Sequence, residues 1–253
     1  MNRDPFVDVI MPNYNKGEFL EETINSVVTQ TYKNWNLFII DDNSHDNPKK
    51  IIDKYKNHNI NAVYLSKNKG VGFCRNLGIR LSNSKYISFI DSDDYWSPNK
   101  LEEQIFFMQK FSYEFTYTDY TPFIIKNNKK FFKKQFVAPV SFNYEQFINN
   151  TSIGMSSMII ERLLVGSTKF HNIKICEDYI FKCEILKKNN TAVKLTKNTM
   201  FYQISKNSLQ SNKVRNLYWV WYINKKYNRL SIFKNLKSLI LIIINSIKKY
   251  GIK

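Results

Sequence analysis

Features of several large protein classes are missing from this sequence. Its 253 residues include only three cysteines, seven glycines and six prolines, which is unlike a collagen or a low-complexity chain. The cysteines (Cys74, Cys176 and Cys183) cannot all pair with one another and have no C-x-x-C spacing, so we expect neither a disulfide scaffold nor a zinc ribbon. The longest wholly apolar run, residues 239–244, is too short to cross a bilayer by itself. The first residues lack the apolar core of a secretory signal, so we expect a cytoplasmic protein.

Acidic residues are absent from the last 69 residues, which follow Glu184. That segment holds 15 Lys or Arg, and subtracting it from the net charge of +17 leaves +2 for residues 1–184. A near-neutral body with a cationic end favours an anionic partner for that end. Only six of the 38 basic residues are Arg. Because Arg supplies most bidentate contacts to bases, we predict no nucleic-acid partner.

Short apolar runs alternate with amphipathic stretches in the first half of the chain. This alternation predicts βαβ units and an α/β fold with a mostly parallel sheet. The predicted strands are residues 7–11, 37–40, 62–65 and 86–90, and the helices between them are residues 19–29, 48–55 and 71–81. In such sheets ligands bind beyond the carboxyl ends of the strands. Polar clusters follow those ends, at residues 12–15, 41–44, 68–72 and 91–94.

The second half has a less regular pattern. Its predicted helices are residues 99–110, 144–149, 178–187, 211–227 and 231–249. Its predicted strands are residues 114–118, 158–161, 192–195 and 200–204. Residues 119–142 are aromatic, basic and irregular, and are consistent with a hairpin.

Three carboxylates follow the fourth predicted strand, in the sequence Asp91-Ser92-Asp93-Asp94. Close carboxylates repel one another unless a cation is bound. Mg²⁺ and Mn²⁺ commonly bind through one or two carboxylates together with a substrate diphosphate. An Asp-rich turn that caps the helix after Pro98 would have the same sequence. Both interpretations stay open at this point.

Three further clusters also permit two interpretations each. Asp41-Asp42 could accept hydrogen bonds from a nucleobase or form an Asx turn. The turn at residues 68–72, with Arg75 in the following helix, is similar to a phosphate-binding turn, but its spacing is not G-x-G-x-x-G. The Glu-Asp pair at residues 177–178 begins a predicted helix, where these carboxylates could simply cap the helix and interact with its dipole.

In this order, the clusters resemble those of the inverting family-2 glycosyltransferases with the GT-A fold. The resemblance rests on VIMPNYNKGEFLEETINSVVTQTYKNWNLFIIDDNS, NKGVGFCRNLGI, YISFIDSDDYWSPNKLEEQI, CEDYIF and FYQISKNSLQS, and covers most of the chain. The segments DSDDYWSPNKLEEQI and FTYTDY are similar to those of bacterial transferases for teichuronic acid, capsule or lipopolysaccharide side chains. The resemblance implies a Rossmann-like, mostly parallel sheet in a catalytic domain, residues 1–205, followed by a basic amphipathic helical tail, residues 206–253. Within that domain, residues 1–95 form the nucleotide-binding half and residues 96–205 the smaller acceptor-side half.

The resemblance also implies a site for a nucleotide sugar, with UDP as the expected nucleotide. Asp42, with Asp41, would bind the uracil edge, and Arg75 would lie beside the base. Asp91 would face the ribose or the sugar. The residues predicted to bind the nucleotide sugar are Pro12, Tyr14, Asn15, Asp41, Asp42, Asn68, Gly70, Arg75, Asp91 and Ser92.

The same resemblance assigns the reacting groups. Asp91-x-Asp93 matches the family's D-x-D element, in which Asp93 would hold Mn²⁺ or Mg²⁺ on the diphosphate. Asp178 matches the general base, which takes the proton of the acceptor hydroxyl as its oxygen attacks the anomeric carbon. A metal can neutralise the leaving diphosphate without a protein acid. Transfer would therefore proceed with inversion and without a covalent sugar–enzyme intermediate.

The sequence departs from the family in two places. Residues 202–205 read Tyr-Gln-Ile-Ser where many members have Tyr-Arg-x-His. A phosphate or metal contact from that His is therefore absent or supplied elsewhere, for which Lys206 is a candidate. The Q-x-x-R-W signature of processive synthases is also missing, which predicts the addition of a single sugar to a glycan or lipid-linked acceptor.

The basic tail has apolar residues at helical spacing: Leu230, Phe233, Leu236, Ile240, Ile244 and Ile247. One interpretation is a helix that lies on an anionic inner membrane, which would make the protein peripheral to it. The other is a helix that packs on the catalytic domain or in an oligomer. A protein of another class, a basic membrane- or RNA-binding protein with a degenerate nucleotide-sugar site, is the functional alternative. In that case Asp93→Ala and Asp178→Asn would leave its function intact.

Overall fold

A sheet of ten strands forms the centre of the protein in the computed structural model, which describes residues 5–55, 58–188, 190–205 and 213–250. The first half of the chain contains β1 (Val7–Asn13), α1 (Gly17–Val28), β2 (Trp35–Asp41), α2 (Pro48–Ile52), a 3₁₀ turn (Asp53–Tyr55), β3 (Ile60–Tyr64), α3 (Val71–Leu81), β4 (Tyr86–Phe89), β5 (Tyr95–Trp96) and α4 (Lys100–Phe111).

The second half begins with a hairpin and ends with two helices. It contains β6 (Phe115–Lys126), β7 (Lys129–Phe132), β8 (Ser141–Phe142), α5 (Tyr144–Phe147), a 3₁₀ turn (Met155–Ser157), β9 (Ile159–Glu161), α6 (Arg162–Val165), α7 (Glu177–Leu186), β10 (Ala192–Gln203), α8 (Lys213–Lys226) and α9 (Ile232–Tyr250).

The strands follow the order β3-β2-β1-β4-β9-β6-β10-β5, with β7 beside β6 and β8 beside β10. The first four are parallel, β9 is antiparallel to both of its neighbours, and β6 and β10 are again parallel. Because β9 reverses the direction twice, β6 and β10 run the same way as β1. The predicted α/β fold with a mostly parallel sheet is confirmed.

Both faces of this sheet are covered. Val9 and Met11 of β1 belong to the core on the side of α1 and α4, whereas Ile10 belongs to the core on the side of α3 and α7, as the alternation of side chains along a strand requires. Helix α3 approaches β1 closely at Gly78, where a Cβ atom would lie 2.4 Å from Ile10 Cγ2. All three cysteines are free thiols.

Several predicted boundaries were wrong. The two strands predicted at 192–195 and 200–204 are one strand, β10, because register shifts near Asn198 absorb the polar residues between them. Strand β6 continues far beyond residue 118 and forms the hairpin with β7. Asn127 and Asn128 connect the two strands with φ values of 49° and 58°, which asparagine tolerates better than most residues.

The two C-terminal helices pack on the sheet domain. Val220 and Ile223 of α8 are buried in the core beside α7, and the Tyr179 hydroxyl donates to Asn224 Oδ1 at 2.8 Å. Residues 206–212 lie outside the described residues. They include Lys206 and the predicted helix start at residue 211, and the predicted boundary between residues 205 and 206 adjoins them. The division into domain and tail therefore stays a prediction.

Candidate active site

The ends of β1 and β2 meet at one edge of the sheet. Asn13 and Asp41 are register partners in these parallel strands, and Asn13 Nδ2 donates to Asp41 Oδ1 at 2.7 Å. The Ser44 hydroxyl donates to the same carboxylate oxygen at 2.6 Å, and the Ser44 amide donates to Oδ2 at 3.0 Å. The buried Asp41 carboxylate thus organises the turn after β2 with three donors.

Asp42 organises the neighbouring glycine turn. Its Oδ1 accepts from the Lys69 amide at 2.6 Å, and its Oδ2 accepts from the Gly70 amide at 2.8 Å. Gly70 has a φ of +91°, which side-chain-bearing residues rarely adopt. The Asn68 side chain donates to the Asp42 carbonyl at 3.4 Å. The structure therefore brings together Asp42, Asn68 and Gly70, and their contact with a nucleotide sugar stays a prediction.

The loop after β1 carries three predicted nucleotide-binding residues. Pro12 is buried within β1, whereas Tyr14 is 45% exposed. Asn15 has a φ of 50°, and its Oδ1 accepts from the His45 amide at 2.8 Å. These contacts hold the loop beside the end of β2 and leave the Tyr14 ring accessible.

The carboxylates after β4 have different surroundings. Asp91 Oδ1 accepts from Arg75 Nη2 at 2.7 Å, and Asp93 Oδ2 accepts from Lys16 Nζ at 2.7 Å. Burial raises the pKa of Asp93, although Lys16 opposes that shift. Burial raises the pKa of Asp94 well above its ordinary value, and the charges of Asp93 and Asp91 add to the shift.

Asp94 and Ser92 have structural contacts. Asp94 Oδ2 accepts from the Ser156 hydroxyl at 2.6 Å, and Oδ1 accepts from the Gln203 amide at 3.0 Å. The carbonyls of Ser92 and Asp94 both accept from the Thr23 hydroxyl, at 3.0 and 2.8 Å. Helix α1 and the strand β10 therefore fix the turn from which Asp91 and Asp93 project.

Arg75 joins this turn to the start of α7. Its Nη1 donates to Glu177 Oε1 at 2.6 Å while Nη2 is bound to Asp91, and its side chain is only 4% exposed. The guanidinium carbon lies 5.4 Å from the centre of the Phe170 ring. Burial raises the pKa of Glu177, although Arg75 opposes that shift. The structure places the Arg75 guanidinium between the Asp91 and Glu177 carboxylates, and its predicted place beside a nucleobase stays a prediction.

Asp178 is paired with a lysine one helical turn further along α7. Lys182 Nζ donates to Asp178 Oδ2 and to the Ile153 carbonyl, both at 2.7 Å. Burial raises the pKa of Asp178, but the charges of Lys182 and Arg75 outweigh it, and the net pKa is lowered. Neither acid of the pair caps the helix, since the capping position is Cys176 and no side chain makes a capping hydrogen bond there.

A cavity of about 400 Å³ connects these groups with the C-terminal helices. Its other walls are residues 151–155, α8 and α9, and its polar wall contains Arg75, Asp91, Asp94, Glu177, Asp178 and Lys182. Of the residues predicted to form the site, Arg75, Asp91 and Asp178 line this cavity. The others lie along the neighbouring strand ends and turns: Pro12, Tyr14, Asn15, Asp41, Asp42, Asn68, Gly70, Ser92 and Asp93.

The carboxylates fit a divalent cation only together with a substrate. Within the described ranges, no three His, Cys, Asp or Glu side chains are grouped closely enough to hold a metal by themselves. The Asp93 side chain is 19% exposed and its charge is balanced by Lys16. Because Mg²⁺ and Mn²⁺ bind through one or two carboxylates plus phosphate oxygens and water, Asp93 fits as the protein ligand of a cation on a diphosphate.

Sequence reasoning missed Lys182 and Lys16 and, although it singled out the Glu-Asp pair at residues 177–178, gave Glu177 no ionic partner. The contact of Lys182 with Asp178 could have been predicted from the sequence, because a lysine four residues after an aspartate lies next to it on a helix. The contacts of Lys16 and Glu177 could not be predicted in this way, since their partners are 77 and 102 residues away in the chain. Their ionic contacts depend on how the sheet is assembled.

The chain has the GT-A fold, as predicted. Residues 8–179 match the family model described as Glycosyl transferase family 2. The chain therefore belongs to glycosyltransferase family 2.

Two relatives match most of the chain. It is 32% identical over 250 residues to the putative teichuronic acid biosynthesis glycosyltransferase TuaG of Bacillus subtilis (strain 168), with 98% of each chain covered. It is 35% identical over 219 residues to the UDP-Glc:alpha-D-GlcNAc-diphosphoundecaprenol beta-1,3-glucosyltransferase WfgD of Escherichia coli, with 86% of this chain and 85% of that one covered.

Two solved structures have the same fold. TarS 1–349 of S. aureus in complex with UDP has a TM-score of 0.70 at 19% identity, covering 96% of this chain and 72% of that one. The mannosyltransferase PcManGT of Pyrobaculum calidifontis, in complex with GDP-Man and Mn²⁺, also has a TM-score of 0.70, at 13% identity, covering all of this chain and 77% of that one. At these identities the likeness extends to the fold alone.

Proposed function

We propose that this enzyme transfers one sugar, with inversion, from a UDP-sugar to a lipid-linked glycan in the synthesis of a bacterial surface polysaccharide. The names of the two relatives support this acceptor and pathway, and the UDP complex of TarS supports the nucleotide. A polyprenyl-diphospho-GlcNAc is accordingly the acceptor to test first. An acceptor of this kind requires the protein to work at a membrane surface, as a peripheral protein. Association into oligomers through the C-terminal helices is compatible with this proposal.

One observation carries the proposed chemistry. Asp178, the predicted base, and Asp91, at the strand end that would hold the donor, line the same cavity. Arg75 and Glu177 connect the two segments through buried ion pairs at 2.7 and 2.6 Å. A donor bound along the ends of β1, β2 and β4 would therefore present its sugar to the cavity that Asp178 lines, where the acceptor hydroxyl would bind.

Asp178 takes the proton of that hydroxyl in the proposed reaction. Lys182 holds one carboxylate oxygen at 2.7 Å and keeps the acid ionised despite its burial. The sugar passes to the acceptor oxygen as the bond from the anomeric carbon to the diphosphate breaks, and no covalent intermediate with the enzyme forms.

In the proposed reaction the leaving diphosphate develops negative charge, which a positive charge near Asp93 would neutralise. A bound Mn²⁺ or Mg²⁺ supplies charge neutralisation on the phosphate oxygens, and Asp93 is the residue that would hold it. The Lys16 ammonium, 2.7 Å from Asp93, would contact the diphosphate from the same side. Asp93 and Lys16 do not line the cavity that contains Asp178.

Calorimetry with UDP in the presence and absence of Mn²⁺ tests this proposal. We expect UDP to bind, Mn²⁺ to strengthen binding, and Asp93→Ala to remove the Mn²⁺ effect. Glu21→Ala is the matched control, because it also removes a carboxylate paired with a lysine, here Lys54 at 2.8 Å, and should bind UDP like the wild type. Absence of UDP binding under both conditions would instead favour a basic membrane- or RNA-binding protein with a degenerate site.

A further inference from the structure

Helix α9 turns its polar residues toward the protein. Asn235 Nδ2 donates to the Trp221 carbonyl at 3.1 Å, and the Ser238 hydroxyl donates to the Ile148 carbonyl at 2.6 Å. Asn245 Nδ2 donates to the Asn149 carbonyl at 3.1 Å. Asn235 and Ser238 are both buried. Leu239 and Ile242 of α9 also pack against the core, so the inner side of this helix is mixed, whereas an ordinary surface helix buries a mainly apolar side.

The opposite side of α9 is apolar and exposed. Phe233 is 85% exposed and Ile240 is 56% exposed. We call this side the outer face of α9, and it consists of Phe233, Leu236, Ile240, Ile243, Ile244 and Ile247. Single exposed apolar residues are normal, but a continuous row of them marks an interaction surface.

The outer face is continuous with the catalytic cavity. Ile243 and Ile247 are 40% and 43% exposed, and both also line the cavity that contains Asp178. One edge of α9 therefore forms a wall of the cavity, and the adjoining side of the same helix is an exposed apolar surface. A ligand that entered along this edge would move from apolar contacts to the Asp178 carboxylate.

The charge around the outer face is positive. Lys237 lies beside it on the helix, and Lys234 is 63% exposed although it is 3.6 Å from Glu145. Residues 185–253 contain 15 basic and no acidic residues. An apolar face flanked by lysines is complementary to a bilayer with anionic headgroups. Among the described residues there is no helix of the length and apolarity that a membrane span requires.

We propose that the outer face of α9 docks on an anionic lipid bilayer, so that the catalytic cavity opens at the membrane surface. The proposed docking is supported by the exposed outer face of α9 and by the positive charge of the lysines beside it. The delivery of an acceptor along Ile243 and Ile247 rests on the proposed function. A second copy of the chain fits this face less well, because a symmetric contact would bring Lys234 and Lys237 of both copies together.

Flotation with lipid vesicles tests the docking. The full-length protein should float with vesicles of phosphatidylcholine and phosphatidylglycerol, float less with phosphatidylcholine alone, and be released by added salt. The double variant Phe233→Ser, Ile240→Ser should lose about 100-fold in vesicle affinity, because two large side chains no longer enter the bilayer. Neither residue lines the cavity.

Phe106→Ser with Leu163→Ser is the matched control, since these two apolar side chains are 65% and 88% exposed on other helices. It should float like the wild type. Equal flotation of the wild type and the Phe233, Ile240 variant would overturn the docking, as would a dimer in solution that these two substitutions dissociate and that binds no vesicles.

UDP calorimetry on the same samples separates the proposals: UDP binding without flotation overturns only the docking, and flotation without UDP binding overturns only the transferase.

Discussion

Arg75 Nη1 and Glu177 Oε1 lie 2.6 Å apart although 102 residues separate them in the chain. The same guanidinium binds Asp91, so one buried cation connects the strand that would hold the donor to the helix that carries Asp178. In the proposed reaction, the relative position of donor and base would therefore depend on Arg75.

Removal of Arg75 should destabilise the protein. Arg75→Met leaves Glu177 without its cation and Asp91 only partly covered, and breaking a buried ion pair in this way costs about 3–5 kcal/mol. We expect a loss of this size in the free energy of unfolding measured with urea. Arg80→Met, an exposed arginine on the same helix, should change it by less than about 0.5 kcal/mol. Equal stability of both variants would exclude a structural role for the bridge.

Removal of Lys182 should change the pH dependence of transfer. The positive charge of Lys182 lowers the pKa of Asp178, and Asp178 would act as the proposed base only when it is ionised. In Lys182→Met that pKa rises, so the acidic limb of the kcat/KM profile should move to higher pH. The other groups near Asp178, namely Arg75, Glu177 and Cys176, are unchanged in this variant. A profile that falls uniformly without moving would contradict this role.

Lys194→Met is the control for that experiment. Lys194 has the same kind of contacts, with Asp119 at 3.2 Å and the Ala138 carbonyl at 2.7 Å, and a side chain that is only 4% exposed. Its loss should lower stability as much as the loss of Lys182. It should leave the acidic limb in place, because Lys194 does not line the cavity.

Lys100→Met should stabilise the protein. Lys100 is fully buried against Trp96 and has no carboxylate partner among the described residues. Burial lowers its pKa well below the ordinary value, so the unfolded chain binds more protons and stability falls as the pH drops below about 10. We expect the variant to gain about 1 kcal/mol near pH 7 and less near pH 10. Thermal melting at both pH values checks this, and a loss of stability at pH 7 would contradict it.

The order of strands and helices could be predicted because the buried runs are long and regular. Helix α3 was predicted at its observed bounds, since a glycine turn precedes it and Ser82 follows it. Strands β5 and β8 were not predicted, because two residues have no periodicity even where Trp96 and Phe142 are buried. Strand β10 was divided in the prediction by its polar residues 196–199.

Local clusters in the sequence indicated which polar residues follow the strand ends, but they did not indicate the ion pairs that connect these residues. Asp91 and Asp178 line the same cavity, and their roles stay predictions. The distant partner of Arg75 depends on tertiary packing. The apolar period of α9 was also visible in the sequence, but apolar residues normally face inward. Only the structure places Asn235 inside and Phe233 outside.

The most direct measurement of the central claim compares UDP binding and sugar transfer in Asp178→Asn. With Mn²⁺, a UDP-sugar that the wild type uses and the polyprenyl-diphospho-GlcNAc acceptor, transfer should fall about 10³-fold while calorimetry gives an unchanged Kd for UDP. Glu184→Gln, a carboxyl-to-amide change on the same helix, should transfer at the wild-type rate. If Asp178→Asn transfers sugar as fast as the wild type, or loses UDP binding together with transfer, then Asp178 is not the base.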